Sequence, residues 1–77
     1  MIRYMRGAAM ISYKPFYKTM KEKGMTEYQL IFKQGLSANT LHRMKHGKDI
    51  STKTLNLLCT VLECRVEDIV LFIPDTE

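Results

Sequence analysis

Between Thr26 and Lys48 the sequence writes two short helices with almost nothing between them. Thr26 is a good N-cap, because its hydroxyl can accept a hydrogen bond from an otherwise orphaned N–H of the first turn. Leu30 and Ile31 supply an apolar face until Gly35 ends the helix. Ser37 caps the next helix, whose apolar positions Leu41 and Met44 lie three apart, and Gly47 terminates it. The join is a turn of about three residues centred on Gly35, and a connection that short makes two helices cross at a steep angle.

The rest of the chain reads as helical support for this pair. Pro15 suits a first helical turn, Ser12 is a candidate cap upstream, and Phe16, Tyr17 and Met20 outline a helix over 14–23 that stops at Gly24. Ser51 or Thr52 opens a fourth helix in which Leu55, Leu58, Cys59 and Leu62 repeat at i, i+3, i+4 and i+7, a buried stripe. A fifth short helix near 66–71 begins with Glu67 and Asp68, whose charge favours a helix N-terminus, and offers Val66, Ile69 and Val70 to the core. Leu71-Phe72-Ile73 can close that helix or run extended before Pro74. Met10-Ile11-Ser12-Tyr13-Lys14-Pro15 reads as a natural beginning, which makes residues 1–9 a candidate leader; alternatively Ile2–Ile11 pairs with 71–73 as a β-ribbon, although Gly7-Ala8-Ala9 has little strand propensity. The division expected is an extension over 1–11, one domain over 12–71 and a tail over 72–77. At 77 residues there is no room for a second core.

The net charge of +4 conceals a division along the chain. Residues 13–48 hold eight lysines and arginines against Glu22 and Glu27, a surplus of +6, whereas residues 49–77 hold two basic side chains against six acidic ones. A basic half permits a polyanionic partner. No apolar run approaches the roughly 20 residues that span a bilayer, and none resembles a secretory signal, so the protein is expected to be cytoplasmic. Cys59 and Cys64 are too few for a disulfide framework, and on a continuous helix five residues turn the second thiol about 140° from the first, a poor metal spacing. They read as packing residues. His42 and His46, at i and i+4, can share a helical face toward a metal, but no carboxylate or cysteine lies near them in sequence, and no metal site or cofactor is expected.

The block from Thr26 to Lys48, with Gly35-Leu36-Ser37-Ala38-Asn39-Thr40-Leu41-His42-Arg43-Met44-Lys45-His46-Gly47-Lys48 at its centre and Ser51–Leu62 and Glu67-Asp68-Ile69 behind it, resembles the Cro/phage-repressor-type (XRE-like) helix-turn-helix family. The resemblance covers about residues 12–71 and is especially similar to small stand-alone bacterial members. It implies an all-α, compact five-helix DNA-binding domain, with or without a short terminal β-ribbon. It also implies binding of an operator in double-stranded DNA, usually an inverted repeat, by a homodimer.

Carried over position by position, the base-reading residues are Ser37, Ala38, Asn39, His42 and Arg43. Their chemistry is suitable: Arg43 can donate two parallel hydrogen bonds to a guanine, Asn39 can pair with an adenine edge, and Ala38 offers a methyl to thymine. Glu27, Gln29, Thr40, Lys45, His46, Lys48 and Lys53 correspond to positions at or near the phosphates, where contacts hold register. Two residues depart from the family pattern. Ile31 stands where a small residue is usual, and Gln34 where an apolar one is. A bulky Ile31 is expected to widen or tilt the helix pair unless a neighbour such as Ala38 makes room.

Tyr28, Phe16 and Tyr17 are expected in the core or at its rim. Lys14, Lys18, Lys21 and Lys23 read first as a solvated face of the first helix. A protein-interaction module, such as an antitoxin-like partner-binding subunit, is the second functional reading, served by an apolar surface from 1–11 and 71–73. Catalysis has little support: no set of reactive groups falls at a working spacing, and so small a helical domain leaves no room for a closed pocket or a small-molecule ligand.

Overall fold

A computed structural model describes residues 10–74. Its order is β1 (Met10–Ser12), α1 (Lys14–Lys23), α2 (Glu27–Phe32), α3 (Ala38–Lys45), α4 (Thr52–Leu62), a 3₁₀ turn (Val66–Asp68) and β2 (Leu71–Ile73). Four α-helices are therefore present among the described residues where five were expected. The stretch near 66–71 makes a single 3₁₀ turn, closed by Asp68 accepting from the Arg65 N–H at 3.0 Å. The chain then straightens into β2, as the β-branched and aromatic run at 71–73 allows.

β2 pairs with β1 in antiparallel register, Met10 opposite Ile73, Ile11 opposite Phe72 and Ser12 opposite Leu71. The ribbon thus exists, but its first strand lies at 10–12. Any part of it over Ile2–Ala9, and the candidate leader over 1–9, fall outside the described residues, as do residues 75–77 of the tail. Strand alternation puts Met10, Leu71 and Ile73 on one face of the ribbon, and all three are exposed.

The helix boundaries follow local chemistry. Thr26 and Gln29 form a reciprocal cap: the Gln29 N–H donates to Thr26 Oγ1 at 3.2 Å, and Gln29 Oε1 accepts from the Thr26 N–H at 2.9 Å. Ser37 and Ser51 cap α3 and α4 by accepting from the N–H groups of Thr40 and Thr54. Tyr13, not Ser12, is the N-cap residue of α1, with Pro15 in its first turn; Ser12 accepts from the Lys14 N–H at 3.2 Å just outside the helix. Gly35 takes φ +79°, a value open to glycine at little cost, and so lets the Leu36 N–H reach the Leu30 carbonyl at 2.9 Å.

One core unites these elements: Tyr13, Phe16, Met20, Leu30, Leu36, Leu41, Met44, Leu58, Leu62 and Ile69. Leu55 and Cys59, expected in the buried stripe of α4, are half-buried at its edge. Ile31 also packs on the core while half-buried, so the bulk at position 31 sits at the rim. Two polar ties cross the domain. Thr19, buried on α1, donates to the Asp68 carbonyl at 2.7 Å, and the Tyr13 hydroxyl donates to the Lys48 carbonyl at 2.7 Å.

Two expectations need correcting here. Tyr28 is neither core nor rim: it is 64% exposed and lies against Phe32, 70% exposed, with ring centroids 4.7 Å apart. Residues 28 and 32 share a helical face, and Leu30 sits about 200° around from Tyr28, so burying one turns the other outward. The 140° argument for the cysteines fails as well, because α4 ends at Leu62 and Cys64 follows a left-handed Glu63 instead of continuing the helix.

Candidate nucleic-acid interface

α3 is pinned from one side and open on the other. Leu41 and Met44 bury its inner face, while Ser37, Ala38, Asn39, His42 and Arg43 are all exposed. These five occupy the cap and the first turn and a half of α3, so the chain order places them on a single outward surface. His42, Arg43 and Lys45 in the last turn are well placed against the partial negative charge of the helix C-terminus.

Several of these side chains already have work inside the fold. The Ser37 hydroxyl accepts from the Thr40 N–H at 3.0 Å and lies 2.7 Å from Thr40 Oγ1, so both hydroxyls serve the cap. The His42 ring lies against His46, centroids 4.4 Å apart. Arg43 reaches back to the loop after α3: Nη2 and Nε donate to the Asp49 carbonyl at 3.1 and 3.4 Å. A guanidinium has five N–H donors, so this leaves donors for an outside acceptor while fixing the plane of the group. Ala38, Asn39 and His42 are exposed with no side-chain hydrogen bond to the fold among the described residues, His42 having only its ring contact with His46.

The flanking positions divide by burial. Lys45, His46, Lys48 and Lys53 are exposed, Lys53 in the first turn of α4 and Lys48 in the loop between α3 and α4. Glu27, Gln29 and Thr40 are half-buried. Because the oxygen of Gln29 closes the cap of α2, its amide nitrogen keeps two donors that the cap does not use.

The loop carrying Lys48 and Asp49 is held from three directions. Its start is fixed by the Lys48 N–H on the Arg43 carbonyl at 2.8 Å, its carbonyls by Tyr13 and Arg43. Burial pushes the Tyr13 phenol above its ordinary ionisation range, with Asp49 adding to the effect; the backbone at Ile50 and the Arg43 charge oppose it. Neither the Tyr13 tie nor the Arg43 tie was foreseen from sequence. Both partners are backbone carbonyls, which every residue carries, so side-chain patterns gave no sign of them.

Among the described residues no cluster of three or more His, Cys, Asp or Glu could hold a metal ion, and no helix is long and apolar enough to cross a membrane.

Comparison with known proteins agrees with this geometry. No curated protein matches the sequence. Among solved structures, that of the transcriptional regulator VanUg superposes with a TM-score of 0.78 over 95% of this chain and 97% of that one, at 22% identity. That likeness establishes a shared fold. The sequence pattern of the Cro/C1-type helix-turn-helix DNA-binding domain matches residues 17–75, which take in every helix from within α1 onward. By that match, and with α2 and α3 as its paired helices, the chain belongs to the Cro/C1-type helix-turn-helix family of DNA-binding domains.

Proposed function

We propose that this protein is a sequence-specific transcriptional regulator that lays α3 in the major groove of an operator, as a homodimer on an inverted repeat. The observation that carries the reading is the outward face of α3, where Ala38, Asn39, His42 and Arg43 stand exposed on a helix fixed from behind by Leu41 and Met44. A rigid helix with amide, guanidinium and methyl groups at its leading end meets the hydrogen-bonding code of the major groove. Lys45, Lys48 and Lys53 on either side supply charge for the phosphates, and the spare amide donors of Gln29 suit the same acceptors. The fold shared with VanUg, whose name describes a transcriptional regulator, supports the same reading.

The exposed apolar face of the ribbon, Met10, Leu71 and Ile73, favours contact with another protein surface. In the reading proposed here that surface is a second copy of the chain. Two copies of α3 would then enter successive major grooves about 34–36 Å apart. A binding module directed at a different protein is the competing use of the same face.

The deciding experiment is a footprint on the DNA flanking the protein's own gene, with sizing of the protein in solution. A protected inverted repeat and a dimeric mass are expected. Absence of any sequence-specific protection would overturn the regulator reading, and a monomer on a single half-site would overturn the dimer.

A further inference from the structure

The two cysteines meet where α4 ends. Glu63 takes φ 51° and ψ 54°, its N–H donates to the Thr60 carbonyl at 3.3 Å, and the Cys64 N–H donates to the Cys59 carbonyl at 3.0 Å. This pair of hydrogen bonds is a Schellman ending, in which the side chain just past the left-handed residue folds back onto one in the last helical turn. α1 ends the same way: Gly24 is left-handed, the Met25 N–H reaches the Met20 carbonyl at 2.9 Å, and the contact position is filled by two methionines. In α4 it is filled by two thiols.

Burial is the first cause that pushes the Cys64 thiol above its ordinary range; the neighbouring Cys59 and Asp68 add to it, and Lys23 opposes it. Both cysteines are free, half-buried and packed against the core. A backbone hydrogen bond of this length holds the two α-carbons within about 7 Å. Disulfides span about 4.4–6.8 Å between α-carbons, so closure asks for little movement.

We propose that Cys59 and Cys64 are a modification site, a dithiol that closes to an intramolecular disulfide across the C-terminus of α4 on reaction with a low-molecular-weight disulfide. One cysteine thiolate attacks the small disulfide, forming a mixed disulfide and releasing one small thiolate. The second cysteine then attacks the protein sulfur of that mixed disulfide; the new S–S bond forms as the second small thiolate leaves. Two protein thiols are oxidised, one external disulfide is reduced to two thiols, and the two thiol protons pass to those products or to solvent. The ring so formed encloses Glu63 and fastens it in the left-handed conformation that the helix end already requires.

The test is equilibration of the purified protein in glutathione buffers of graded ratio, followed by acid quench, alkylation and peptide mapping by mass spectrometry. The expected product is a Cys59–Cys64 cross-link lacking two hydrogens, with a yield independent of protein concentration. Its equilibrium constant against glutathione should be roughly tenfold or more higher in the native protein than in concentrated urea, since the fold raises the effective concentration of one thiol at the other. Cross-links between chains, glutathione adducts without ring closure, or equal constants in native and unfolded protein would each overturn the proposal. Because the mapping is done on the wild-type chain, the result does not depend on a cysteine variant folding.

Discussion

The Tyr13 hydroxyl donates a 2.7 Å hydrogen bond to the Lys48 carbonyl, 35 residues further along the chain. The residue that opens α1 therefore holds the loop that follows α3. Tyr13→Phe removes the donor and leaves that carbonyl to find water, at an expected cost of about 1 kcal/mol in urea unfolding. The same variant should blunt alkaline unfolding. Tyr13 and Tyr17 both ionise above the usual phenol range, mainly through burial. The folded state thus favours the protonated phenols, and the stability they contribute is complete below about pH 10 and is lost as pH rises through the folded-state values. Melting temperature against pH from 8 upward should fall less steeply in Tyr13→Phe than in wild type; identical slopes would remove Tyr13 from this role.

Arg43 combines an internal and an external task. Its bonds to the Asp49 carbonyl orient the guanidinium, and Arg43→Ala should relax the preference at one base pair at a cost of about 1–3 kcal/mol in operator binding. Arg43→Lys should not restore it, since an ammonium lacks the planar fork needed to hold the loop and a base edge together. Equal operator affinity for wild type and Arg43→Ala, measured alongside the thermal stability of each, would show that the arginine serves the loop alone.

Lys48 presents the opposite expectation. It is exposed in the loop whose backbone Tyr13 and Arg43 fasten, so its charge is carried near a fixed point of the chain without a base to read. Lys48→Ala should weaken binding to all sequences alike and reduce the slope of log affinity against log salt by about one. The check is a binding isotherm series at several salt concentrations on specific and random DNA. An unchanged slope would place Lys48 away from the phosphates.

The elements that sequence made plain are those encoded by local rules. Thr26, Ser37 and Ser51 cap as their hydroxyls dictate, and Leu30, Leu41, Met44, Leu58 and Leu62 are buried where helical spacing puts them. The exposure of positions 38, 39, 42 and 43 follows from the same spacing once Leu41 and Met44 are buried, whereas their base-reading role rests on the resemblance to the family. What escaped was non-local. Val66–Asp68 carries helix-like acidic residues, but pairing of 71–73 with 10–12 draws the chain out after a single turn. Tyr28 looked like core by residue type alone, although its spacing from Leu30 already turned it outward. The Tyr13 and Arg43 ties end on backbone carbonyls, which no side-chain pattern can announce.

Two helix ends with the same geometry should answer in opposite directions to exchange of side chain. Gly24 and Glu63 both sit at left-handed C-caps, at φ 66° and 51°. A residue with a β-carbon is strained in that region by about 1 kcal/mol, and glycine is not. Glu63→Gly should therefore raise the unfolding free energy by about 0.5–1 kcal/mol, the relief of strain being offset in part by the greater freedom of glycine in the unfolded chain. Gly24→Ala should lower it by about 1 kcal/mol, although nothing stands within 4 Å of where the new β-carbon would lie, so conformation and not crowding decides the sign. Urea midpoints at constant m-value measure both. If Glu63→Gly is destabilising, the carboxylate side chain stabilises the end of α4 by more than its backbone conformation costs.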